Sequence, residues 1–156
     1  MSINKTNIRR VIDQIKAEPK RFNMSVYVGT LNSDPEDDIY PHVEDEGHDT
    51  TVLAKSCGTV ACIAGWAAYL AQPGRPPAST SHMMEIASEF LGLPEPRVAA
   101  LGDDYNDTDR LFFGWLPDRL DRPNGLSLDA IAPEMAVKVL EHLIDTGEVD
   151  WSIVQE

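Results

Sequence analysis

Residues 57–72 read Cys57-Gly-Thr-Val-Ala-Cys62-Ile-Ala-Gly-Trp66-Ala-Ala-Tyr-Leu-Ala-Gln72. From residue 60 to residue 71 the sequence contains no charge, and five of the twelve residues are alanine. On a helix the small and bulky side chains fall on opposite sides. The small side is Ala61, Ala64, Gly65 and Ala68, and the bulky side is Ile63, Trp66 and Leu70. A helix that is apolar all round is a buried helix, so the pattern predicts a buried central helix over about residues 59–72.

Other helices are predicted on both sides of this central one. A one-sided apolar stripe predicts a helix over about residues 6–18. Further helices are expected over about 81–91 and 133–146, each followed by glycine, and a short one over 96–101. Trp151 is expected to fold back onto the core. Residues 111–116 supply an apolar cluster, predicted as a single turn followed by an irregular segment.

The predicted fold class is mainly α: a single-domain irregular helical bundle over residues 1–156, packed around the central helix. A small two-stranded hairpin of about residues 24–29 with 51–54 is an optional addition. Residues 31–50, between those strands, hold eight carboxylates, two histidines and no lysine or arginine. They are predicted to be an acidic flexible loop within the domain.

Charge limits the classes of partner. The net charge is −13, which disfavours direct binding to nucleic acid or to an anionic membrane. The first 25 residues nevertheless carry a net charge of +4, because six basic side chains face two acidic ones. We expect this basic first helix to lie against or beside an acidic body.

The chain lacks the signals of export and membrane insertion. No apolar run reaches the ~20 residues that a transmembrane helix needs, and the N-terminus shows no secretory signal. Two cysteines without such a signal are typical of a reducing compartment, so a cytoplasmic location is expected.

The acidic loops supply candidate residues for binding a protein with a basic surface. Carboxylate arrays attract a basic surface, and exposed tyrosines add contact area. The second acidic stretch, residues 103–109, lacks the glycine and the final glutamate of a calcium-binding EF-hand loop. The candidate partner-binding residues are Glu36, Asp37, Asp38, Tyr40, Glu44, Asp45, Glu46, Asp103, Asp104, Tyr105 and Asp107.

An alternative centre consists of His42, His48, Cys57 and Cys62. These four zinc-type ligands fall within 21 residues, although a spacing of four between the cysteines lies at the edge of structural zinc sites. The start of the central helix also offers N–H groups that lower a thiol pKa, which leaves thiol chemistry as a further option. A small buried cysteine beside an N-capping Thr59 is the simpler interpretation.

The motif Cys57-Gly-Thr-x-x-Cys62-x-Ala-Gly-Trp66-Ala resembles that of small helical proteins from bacteriophages and bacterial genomes. Leu91-Gly-Leu followed by Leu111-Phe112, and the pattern from Ala136 to Trp151, are similar to that group as well. The resemblance implies a helical fold and a phage or mobile-element setting. That group has no established activity, so the resemblance implies no catalytic residue and no cofactor.

Together these features predict a non-enzymatic acidic binding protein, a phage or mobile-element accessory factor that binds a host protein. One form of such binding is nucleic-acid mimicry. The alternative is a small zinc-binding or thiol-dependent protein centred on Cys57 and Cys62. The sequence does not indicate an oligomeric state.

Overall fold

The fold is that of a computed structural model, which describes residues 2–24, 28–30, 59–73, 80–97, 106–113 and 130–154. Within those ranges only the backbone is described at residues 28–30, 59–60, 80–81 and 113. The prediction of a mainly α protein is confirmed, since helices dominate the described residues. The helices are α1 (Lys5–Ala17), α2 (Ile63–Ala71), α3 (Thr80–Leu91), α4 (Asp107–Phe113) and α5 (Pro133–Thr146).

Two short strands and two single 3-10 turns complete the described elements. The strands are β1 (Val28–Thr30) and β2 (Thr59–Ala61), which pair antiparallel with Val28 opposite Ala61. The 3-10 turns are Pro19–Arg21 and Ser152–Val154. β1 overlaps the end of the predicted first strand, but its partner is β2. The predicted second strand, residues 51–54, lies outside the described residues.

The central helix begins four residues later than predicted, because residues 59–61 belong to β2. A sequence window shows no trace of this pairing, since the partner strand lies about thirty residues upstream. Cys62 is therefore the N-cap of α2, and its sulfur accepts a hydrogen bond from the N–H of Gly65 at 3.4 Å. Thr59, predicted as the cap, is in the strand. The expected burial is confirmed, because every residue from Ile63 to Ala68 is buried.

Both α1 and α2 lie in the core and pack against several other helices. α2 packs most extensively against α3 and also touches α1 and α4, while α1 packs against both α2 and α5. The predicted stripe of α1 faces inward, with each of its four members at most 5% exposed. The stripe is Ile8, Val11, Ile12 and Ile15. The core therefore has two neighbouring central helices, α1 and α2.

The start of α1 and the end of α3 cap each other. Asn4 caps α1 by accepting from the N–H of Asn7, and its own N–H donates to the carbonyl of Leu91 at 2.8 Å. The side-chain amide of Asn7 donates to the carbonyl of Phe90, also at 2.8 Å. Gly92 ends α3 in the left-handed region, at φ 71°. Carbonyls that a helix end leaves without partners are thus satisfied by the neighbouring helix.

α5 follows its predicted pattern. Pro133 occupies its first turn, and Gly147 closes it at φ 82°. Trp151 then folds back as expected, with 1% of its surface exposed, and its indole N–H donates to the carbonyl of Arg110 at 2.9 Å.

The short helix predicted over residues 96–101 can be compared with the structure at its first two residues only. Pro96 and Arg97, which were expected to open a short helix over 96–101, are not helical; residues 98–101 lie outside the described ranges.

Across the described ranges, no helix combines the length and apolarity that spanning a membrane requires.

Candidate binding surface

Most of the predicted partner-binding residues lie outside the described ranges. They are the seven from Glu36 to Glu46, together with Asp103, Asp104 and Tyr105. Of the predicted set, Asp107 alone is described. It opens α4 and lies 3.7 Å from the guanidinium of Arg110, one turn further on. Both side chains of this pair are partly exposed.

Asp109, two residues later, has a structural role. It is completely buried, and its carboxylate accepts from the N–H of Asn106 at 3.2 Å and from the N–H of Arg97 at 3.0 Å. Asn106 in return accepts from the N–H of Asp109 at 3.1 Å. This reciprocal arrangement is a capping box, with asparagine and aspartate in place of the usual serine and glutamate. The prediction that residues 103–109 form one acidic loop is therefore wrong from Asp107 onward.

The capping box also anchors the segment that follows α3. The side-chain amide of Asn106 donates to the carbonyl of Glu95 at 2.7 Å, and the hydroxyl of Thr108 donates to the carbonyl of Pro94. With Arg97 bound to Asp109, the N-terminal end of α4 fixes residues 94–97. Asp109, although it belongs to the acidic stretch 103–109, therefore stabilises the fold.

Of the four zinc-type residues, the described ranges contain Cys62 alone. His42, His48 and Cys57 lie outside the described ranges. The thiol of Cys62 is fully buried, and this burial raises its pKa to about 11. A thiol held in its neutral form is a poor nucleophile and a poor metal ligand. Among the residues that the structure describes, no three histidine, cysteine or acidic side chains are grouped to hold a metal ion.

A groove of about 320 Å³ lies where the end of α1 meets the start of α5. Its walls are mainly apolar, formed by Ile15 and Pro19 on one side and Pro133 and Val137 on the other. The two prolines lack N–H groups, so these walls offer few donors to a polar ligand. The groove is suited to an apolar side chain.

The rim of this groove is charged. Lys16 on α1 and Glu141 on α5 form an ion pair at 2.7 Å, and both side chains are about half exposed. Glu134 and Lys138 complete the rim. In the described part of the chain neither of these two has an ion-pair partner. The rim thus has one neutralised pair, one carboxylate and one ammonium group.

The outer side of α5 carries more negative than positive charge. Glu134, Glu141 and Asp145 are spaced seven and four residues apart, which places them along one side of the helix; we call these three residues the α5 ridge. All three are exposed, and Lys138 is the one cation on α5. By the helical rise the ridge is about 16 Å long.

The basic residues of α1 are partly engaged within the protein. Arg10 lies over the ring of Phe90 at 5.2 Å, and Arg21 lies over Trp66 at 5.2 Å while it pairs with Glu18 at 2.8 Å. Cation–π contacts of this kind stabilise a fold modestly. With Lys16 paired to α5, half of the six cations near the N-terminus hold the helices together.

Charge is divided unevenly between the described ranges and the rest of the chain. The described ranges contain nine basic and twelve acidic residues, a net of −3. The remaining residues contain four basic and fourteen acidic ones, a net of −10. The excess of negative charge therefore belongs mostly to residues outside the described ranges.

Comparison of the chain with protein-family models, with curated proteins and with solved structures found no match.

Proposed function

We propose that this chain is a non-enzymatic acidic binding protein whose partner is a protein with a basic surface. The observation that carries the proposal is the division of charge, −3 within the described ranges and −10 outside them. In the described ranges the basic side chains nearly balance the acidic ones, whereas in the rest of the chain fourteen acidic side chains stand against four basic ones. An uncompensated array of carboxylates attracts a basic surface and speeds encounter with it.

The partner-binding residues in this proposal are those predicted from the sequence, chiefly the carboxylates of residues 36–46 with Tyr40. Asp107 belongs to the same set, since its side chain is partly exposed and its ion pair with Arg110 is long, at 3.7 Å. Asp109 does not belong to it, because the capping box uses its carboxylate fully. The setting implied by the sequence resemblance is a phage or mobile-element factor that acts on a host protein in the cytoplasm.

Affinity purification from host lysate tests the proposal with charge-matched variants. The segment variant carries Asp37→Asn, Asp38→Asn, Asp45→Asn and Glu46→Gln. The control changes four exposed framework carboxylates: Asp13→Asn, Glu89→Gln, Glu95→Gln and Glu148→Gln. We expect wild type and control to recover the same protein, released at about 0.5 M salt by screening, and the segment variant to lose it. Recovery of no protein by wild type, or equal recovery by all three, would count against the proposal.

Nucleic-acid mimicry is a narrower form of the same proposal, in which the carboxylates occupy a groove built for phosphates. It predicts that a recovered partner binds duplex DNA or RNA and that this chain displaces the nucleic acid competitively. Simultaneous binding of both would reject mimicry while leaving the binding function in place.

A zinc-binding or thiol-dependent function centred on Cys57 and Cys62 is the second proposal from the sequence. The burial of Cys62 speaks against it, since a neutral interior thiol neither attacks nor ligates readily. Elemental analysis of protein purified without chelator is expected to find no stoichiometric zinc. A stoichiometric metal that is lost together with folding in Cys57→Ser would favour the zinc-binding proposal over the acidic binding protein.

A further inference from the structure

We draw no further inference here: the strongest candidate, the exposed basic surface patch that Lys5 and Arg9 form on α1, shares that helix surface with the carboxylate of Asp13, and nothing in the described part of the chain shows what covers it.

Discussion

Two regions of this protein contain the same kinds of residue and use them differently. Between α3 and α4, a left-handed glycine and an aspartate are both enclosed. Gly92 lies against the backbone of residues 2–4, and the buried carboxylate of Asp109 accepts from the N–H groups of Arg97 and Asn106. On the outer side of α5 the same residue types are open: nothing lies within 4 Å of a side chain built at Gly147, and Asp145 is exposed. Residue type alone does not say which carboxylates are free to bind; the packing around each one does.

The largest expected effect is that of Asp109→Ala. Removal of this buried carboxylate leaves two partly buried N–H groups, those of Arg97 and Asn106, without their acceptor, at a cost of about 3–5 kcal/mol. Asp107→Ala is the matched control and is expected to cost less than about 1 kcal/mol, because it loses a surface ion pair. Urea unfolding of both variants checks the difference. Similar losses would remove the distinction between the two aspartates.

The two glycines give the next comparison. A Cβ at Gly92 would lie 2.7 Å from the backbone nitrogen of Asn4, and the residue would also keep a positive φ. We expect Gly92→Ala to cost about 2–4 kcal/mol, from strain together with displacement of the start of α1. Gly147→Ala carries the strain without the clash and should cost about 1 kcal/mol. Thermal melts that rank the two in the opposite order would mean that the N-terminal contact is misplaced.

Cys62 is a further enclosed residue, like Gly92 and Asp109. In a Cys57→Ser background its thiol should react with a soluble disulfide reagent only when the protein unfolds, because it is buried and its pKa is raised to about 11. Cys62→Ala should cost about 1–2 kcal/mol through the lost helix cap and a small void. Rapid labelling of the native protein at pH 7 would contradict the burial and revive the thiol proposal.

The smallest expected effect concerns Asp150, a partly exposed carboxylate whose hydrogen-bond partners are two residues away in the chain. Asp150 accepts from the hydroxyl and the N–H of Ser152, and the hydroxyl contact is the main reason that the pKa of Asp150 is lowered. A lowered folded-state pKa adds stability above the unfolded value of about 3.9, and this stability is lost as the pH falls through the folded value. Solvent screening keeps the contribution below about 1 kcal/mol at pH 7.

Urea melts of wild type and Asp150→Asn measure this contribution. The difference between the two should be constant from pH 7 to about pH 5 and should shrink as the pH falls below the unfolded pKa of about 3.9. A difference that grows as the solution is acidified would have the wrong sign for a lowered pKa.

The helices that the sequence predicted well are those with local signals. The stripe from Ile8 to Ile15 and the terminal Pro133 and Gly147 are each visible within a few residues, and the structure places them as expected. The start of α2 was not predictable in this way. Residues 59–61 join a strand whose partner is distant, and a β-branched pair before an alanine-rich run is compatible with either state.

In the candidate site, too, only features with a local sequence signal could be predicted. The spacing of Asn106 and Asp109 was a usable capping signal that the high density of carboxylates in residues 103–109 concealed. The groove between α1 and α5 has no local signal, since its two walls come from residues more than a hundred positions apart. The ridge on α5 could be read from its spacing, but its closeness to an apolar pocket could not.

The contacts of α1 bear on how the chain folds during synthesis. Its neighbours are α2, about fifty residues later, the end of α3, about eighty residues later, and α5, where Lys16 meets Glu141 after 125 residues. A helix that leaves the ribosome long before its partners exposes four isoleucine and valine side chains until the rest has been translated. Nascent chains of this protein should therefore bind chaperones through residues 8–15, and refolding should be slow for a protein so rich in helix.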